Sequence, residues 1–159
     1  MASNVTPFLW FDENAEDAAI YYTKVFKNAK ILGLMRYGDT PPSDKGKVMT
    51  VRFEVEGQEF IGLNGGPHYK MNMAVSFLIN APTQDEVDRL WELLKDGGET
   101  HQCGWVTDKF GVTWQVVPDG FMDLIGGDDE DKSARAMEAM MKMVKLDINE
   151  LRRAYDGKT

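Results

Sequence analysis

A single cysteine, Cys103, stands in 159 residues, so an internal disulfide is excluded. Two histidines, His68 and His101, lie far apart and outside any closely spaced set with Asp or Glu, so a metal or acid–base role is open but not indicated. Cys103 has no histidine beside it, and Ser43, Ser76 and Ser133 lack the flanking glycines of a nucleophile elbow; covalent catalysis has little support. Positive charge is scarce. Eighteen Lys and Arg against 26 Asp and Glu leave a net charge of −8, which opposes attraction to phosphate backbones and anionic lipid. Neither nucleic acid nor a membrane is expected as a partner. The sequence has no long apolar run and no charged-then-apolar leader, so it reads as soluble and cytoplasmic.

What is present is a succession of short strands and amphipathic helices, in a length that suits one domain or two half-domains sharing a core. Residues 5–11 form a largely apolar strand, with Pro7 near its start where a missing donor is tolerated. Asn14 is placed to cap a helix through Phe26, whose Ala15, Ala18, Ala19, Tyr22, Val25 and Phe26 recur at helical spacing. A strand over 31–37 leads to residues 38–47, which read as a solvated connector, with a mobile lid as the alternative. Val48 to Val55 alternates cleanly, and Glu56-Gly57 turns it into a second strand, 58–63.

After the irregular Asn64 to Tyr69 the same order begins again. Met73 to Asn80 is a strand, and Thr83 with Glu86 has the spacing of a capping box for a helix carrying Val87, Leu90, Trp91 and Leu94. Short strands over 99–101 and 103–107 precede Asp108 to Pro118, where a glycine turn feeds a β-branched and aromatic run that stops at proline. In that last strand Thr113, Gln115 and Val117 share one face, and Val112, Trp114 and Val116 the other. A buried amide at Gln115 requires a hydrogen-bond partner from protein, water or ligand. The order βαβββ thus occurs twice.

Beyond Pro118 comes an acidic run, Asp128 to Asp131, then an amphipathic segment with Ala134, Met137, Met140, Met141 and Val144 at helical intervals. Asp147 and Glu150 are spaced to cap a final helix through Tyr155. The methionine stripe reads as packing, with a pliable binding groove as the alternative.

With Pro7-Phe8-Leu9-Trp10-Phe11-Asp12, Leu63-Asn64-Gly65-Gly66-Pro67 and the Asp108 to Pro118 stretch, this element order resembles the vicinal oxygen chelate superfamily of glyoxalases, bleomycin-resistance proteins and dioxygenases. The likeness is greatest to its PhnB-like branch, often labelled 3-demethylubiquinone-9 3-methyltransferase, and extends over essentially the whole chain, tail included. The resemblance implies an α+β fold: two βαβββ modules, 1–66 and 67–120, forming a curled mixed sheet around a cup, with a C-terminal helical extension, 121–159. It also implies dimerisation, and for metal-dependent relatives four ligand positions, which fall here at about Pro7, Gly62, Ala74 and Gln115. Of these only Gln115 can ligate, and one amide does not make a metal shell. Relatives that use S-adenosylmethionine hold it beside a glycine-rich loop opening a helix, whereas Gly62, Gly65 and Gly66 precede an irregular segment and a strand.

The expectation is therefore a pocket without metal or cofactor for a small, partly aromatic or hydrophobic molecule. Trp10, Phe60, Phe77 and Trp105 are candidate walls, and Asn64, Ser76 and Gln115 candidate orienting groups. The alternative is an enzyme of the same superfamily, either a metal-dependent lyase or dioxygenase or the methyltransferase of the common label. The apolar tail face, if it lacks a partner within the chain, points to a homodimer.

Overall fold

The computed structural model describes residues 4–158 and divides after Met71 into two compact units. The first contains β1 (Phe8–Phe11), α1 (Ala15–Val25), β2 (Ala29–Arg36), β3 (Val48–Val55) and β4 (Gln58–Asn64), with sheet order β1-β4-β3-β2. The second contains β5 (Phe77–Ala81), α2 (Gln84–Lys95), β6 (Glu99–Thr100), β7 (Trp105–Thr107) and β8 (Thr113–Pro118), with the matching order β5-β8-β7-β6, followed by α3 (Phe121–Ile125), α4 (Glu130–Met141) and α5 (Ile148–Tyr155). In each, the first and last strands run parallel and the remaining pairs antiparallel. The twofold βαβββ plan and the α+β class are thus present.

Strand register sorts the side chains of the first unit. Val51 opposite Gly62 and Phe53 opposite Phe60 lie on the face that α1 covers. The rings of Tyr22, Phe53 and Phe60 stack there, with centroids 5.6 and 5.4 Å apart. A Cβ on Gly62 would press on Ala15 Cβ at 3.2 Å, so this glycine and the alanines of α1 let the helix approach closely. Phe8, Trp10, Ile61, Leu63, Thr50 and Arg52 share the opposite face. The Glu56-Gly57 turn has φ of 47° and 85°, the two positive values that a tight hairpin between twisted strands requires.

Local signals misplace several details. Asn14 stands at the cap of α1 but its side chain makes no capping bond; the Ala15 N–H donates instead to Asn64 Oδ1 at 2.8 Å, from 49 residues away. Residues 73–76 are not strand, because parallel pairing with β8 starts only at Phe77 opposite Trp114 and a backbone without a ladder partner stays irregular. The strand expected from Cys103 begins at Trp105: the Cys103 and Gly104 N–H groups donate to Met143 and Val144 carbonyls of the tail, and Cys103 adopts φ 62°.

The tail is anchored on the second unit of its own chain. Leu146 and Leu151 are fully buried with Val117 and Phe121. Gln84, in the first turn of α2, donates to the Leu146 carbonyl at 2.9 Å and accepts from the Ile148 N–H at 2.9 Å. The apolar stripe expected on α4 is out of phase: Met137, Met141 and Val144 are exposed, whereas Ser133 and Ala136 are buried, since helices that cross closely need small residues at the contact. The expected caps at Thr83 and Asp147 both form.

Asp88 completes the clasp. Hydrogen bonds from Lys145 and Gln84 hold its carboxyl below the ordinary aspartate range. A depressed folded-state pKa contributes stability above the unfolded value that is lost as pH falls through the folded one. Half-exposed as it is, Asp88 is expected to make only a small contribution. Acid titration below about pH 4 should therefore loosen the tail slightly more in the wild type than in Asp88→Asn, read as hydrogen-exchange protection of α5. Equal acid sensitivity would remove this role.

Candidate functional site

The second unit gathers the polar groups of interest. α2 packs on Val106, Trp114 and Val116, which are buried. On the other face Gln115 lies opposite Trp105 on one side and Leu78 on the other. Gln115 Nε2 donates to Ser76 Oγ at 2.9 Å. Its Oε1, like Trp105 Nε1, has no hydrogen-bond partner among the described residues. Gln115 and Trp105 are half-buried and Leu78 is 45 % exposed. A flat indole, an aliphatic side chain, a free acceptor and a free donor therefore share one patch. Such a patch can stack on an aromatic ring and orient one or two polar atoms.

Three residues outside the seven candidates also lie on this face. His101 Nε2 lies 2.9 Å from Thr107 Oγ1, which lies 2.9 Å from Thr113 Oγ1. The backbone N–H of His101 donates to the Trp105 carbonyl at 2.8 Å, which sets the imidazole beside the patch. Strand alternation does place Thr113 with Gln115, but the approach of His101 depends on the pairing of β6 with β7.

Of the seven candidate residues, Ser76, Trp105 and Gln115 come together. Phe77 does not join them; it pairs with Trp114 on the α2 face, ring centroids 5.6 Å apart. Phe60 is 3 % exposed in the aromatic stack under α1, so it fills the core rather than walling a pocket. Asn64 has its amide engaged at both ends, accepting from Ala15 N–H and donating to the Val48 carbonyl. Trp10 belongs to the face of the first sheet away from α1, where its Nε1 donates to the Gly66 carbonyl at 2.9 Å and its ring meets Tyr69 edge-on. A Cβ on Gly65 would land on that indole, so the loop needs glycine there.

The fold also corrects the four positions assigned by the superfamily resemblance. Gly62 points toward α1 and Ala74 precedes β5, so the strand positions facing away from the helices nearest those assigned are Phe8, Trp10, Ile61, Leu63, Leu78 and Gln115. Of these six only Gln115 can ligate, His101 is the one imidazole that the register places on the same face, and no group of three or more His, Cys, Asp or Glu gathers among the described residues. These donors do not fit a resident metal ion. A separate shallow hollow of about 540 Å³ at the end of α2, lined by Glu92, Lys95, Asp96, Gly97, Gly98 and Thr100, contains none of the candidate residues.

A family model described as 3-demethylubiquinone-9 3-methyltransferase matches residues 3–117. The chain belongs to this family. A solved structure described as a putative 3-demethylubiquinone-9 3-methyltransferase, PhnB protein, from Bacillus cereus is 28 % identical, with a TM-score of 0.66, over 73 % of this chain and 99 % of that one. A protein from Pseudomonas aeruginosa is 26 % identical, with a TM-score of 0.62, over 74 % of this chain and 98 % of that one. The fold is thus that of the PhnB-like proteins of this family. No match was found among curated proteins. The family match ends at Val117, so α3, α4 and α5 lie outside it, and the likeness is shorter than the sequence implied. Among the described residues no helix is long and apolar enough to cross a membrane.

Proposed function

We propose that this PhnB-like chain binds a small, partly aromatic or hydrophobic molecule, without a metal ion, on the face of its second module that carries Ser76, Trp105 and Gln115. One observation carries this reading: an amide oxygen and an indole N–H, neither with a partner among the described residues, flank exposed apolar surface. Polar groups of this kind fix orientation, while ring and aliphatic contacts supply most of the affinity. Among the described residues no group of three or more His, Cys, Asp or Glu gathers beside them.

Thermal-shift titration with acetophenone, divalent metal salts and S-adenosylmethionine tests the proposal, because any ligand specific for the folded state raises its apparent stability by mass action. Stabilisation by acetophenone alone is expected. Stoichiometric metal in the purified protein, or stabilisation by S-adenosylmethionine, would instead favour the enzyme readings. Gln115→Ala should weaken binding of 4-hydroxyacetophenone, whose hydroxyl can donate to Oε1, about tenfold while costing folding no more than about 1 kcal/mol, the scale of one part-buried hydrogen bond. Equal loss of both would make Gln115 a structural amide.

We also propose a homodimer. β2 is an edge strand and leaves Ile31, Leu32, Leu34 and Met35 between 38 and 56 % exposed, more apolar edge than a monomer ordinarily leaves open. Sedimentation of a folded monomer at micromolar concentration would reject this.

A further inference from the structure

Proton counting along the threonine pair determines what His101 can offer a ligand. Thr113 is 1 % exposed, so its hydroxyl proton must be donated inside the protein. Its partner among the described residues is Thr107 Oγ1 at 2.9 Å. Were His101 Nε2 to carry a proton and donate to Thr107, Thr107 Oγ1 would accept from both neighbours on its two lone pairs, and its own proton would have no acceptor among the described residues. The reverse direction leaves nothing unpaired: Thr113 donates to Thr107, Thr107 donates to His101 Nε2, and the neutral imidazole holds its proton on Nδ1.

We propose that the Thr113–Thr107 pair locks His101 in the Nδ1–H tautomer, and that this N–H, together with Trp105 Nε1–H, receives the carbonyl oxygen of an uncharged aromatic ligand. The inference rests on the binding reading above and specifies its ligand class. His101 Nδ1 has no partner among the described residues, and the imidazole is half-buried, open to a ligand on the side turned from Thr107. His101 follows β6 directly opposite Trp105, whose own N–H is equally available. Two N–H donors suit an oxygen that carries lone pairs and no proton. The patch residues, Ser76, Leu78, His101, Trp105, Thr107, Thr113 and Gln115, include no Lys or Arg, and the chain carries a net charge of −8. A carboxylate would therefore lack a counter-charge, and a ketone, aldehyde or ester carbonyl is the better match. Gln115 Oε1 remains to accept from a hydroxyl or amine elsewhere on the ligand.

The test uses the full chain labelled with ¹⁵N, in which His68→Gln assigns the two imidazoles, and compares acetophenone with α-methylstyrene, where CH₂ replaces the carbonyl oxygen. In the free protein the long-range ¹⁵N–¹H spectrum should show His101 Nε2 unprotonated and Nδ1 protonated. Acetophenone should shift the Trp105 indole and His101 signals and bind about tenfold more tightly than the hydrocarbon, the worth of one good hydrogen bond. Thr113→Val should release the tautomer and abolish most of that preference; Thr107→Ala serves the same purpose if Thr113→Val folds poorly. An Nε2–H tautomer in the free protein would overturn the inference whatever binds. Equal affinity of the two probes at Trp105 would overturn it while leaving the pocket intact. No perturbation of Trp105 or Gln115 by either probe would overturn the pocket reading, and the ligand class with it.

Discussion

Asp108→Ala is expected to lose about 3–5 kcal/mol of folding stability, a large part of what a domain of this size possesses. The carboxylate is 3 % exposed and ties the β7–β8 turn to the core. Oδ1 accepts from the Phe110 and Val112 N–H groups at 2.8 and 3.2 Å, and Oδ2 accepts from Trp114 Nε1 at 2.8 Å. Bonds to an ionised acceptor are worth about 1.5–3 kcal/mol each, and removing the acceptor leaves buried donors that cannot reach water. Asp108→Asn should lose about half as much, since its oxygen can still serve the turn while its amide N–H₂ faces the Trp114 donor. Urea unfolding midpoints for the pair provide the check. A loss below about 1 kcal/mol for the alanine variant would mean that other contacts hold the turn. The turn sets the register that brings Gln115 opposite Trp105, so a folded Asp108→Ala protein should also bind acetophenone less well.

Leu146→Ala is expected to lose about 3–4 kcal/mol, the range for emptying a well-packed leucine site. Leu146 is fully buried among Val117, Phe121 and Leu151, and a Cβ on Gly104 would come within 2.9 Å of it, a sign of how closely the tail is seated. Met141→Ala, by contrast, changes a side chain that is 64 % exposed and should stay within about 0.5 kcal/mol of wild type. Calorimetry of both variants at two protein concentrations gives the test. A tail belonging to its own module predicts a loss independent of concentration; a tail exchanged between copies would make the Leu146→Ala loss depend on concentration.

Hydrophobic period and turn chemistry carried much of the architecture. The clean alternation of Val48 to Val55, the Thr83 cap and the stop at Pro118 depend on neighbours within a few residues, and all three appear where the sequence places them. The phase of α4 was not legible, because Ala134 to Val144 offers apolar residues on more than one face and burial is decided by what α3 and α5 present. Of the seven candidate residues, the three that meet share the face of Gln115, which strand alternation already distinguished. Phe60 and Phe77 were indistinguishable from Trp105 as aromatic residues in or beside short strands; register sent them to the helix-covered sides.

The amino-acid sequence by itself determined the repeated element order, the excess of acidic over basic residues, and the scarcity of histidine and cysteine, because these follow from local preference and from counting. Tertiary structure alone decided that Asn64 caps α1, that the tail clasps Gln84, and that His101, Thr107 and Thr113 form one hydrogen-bonded line. Such pairings join backbone and side-chain groups across strands and over tens of residues. A one-residue change of register would carry every side chain of the strand to its other face.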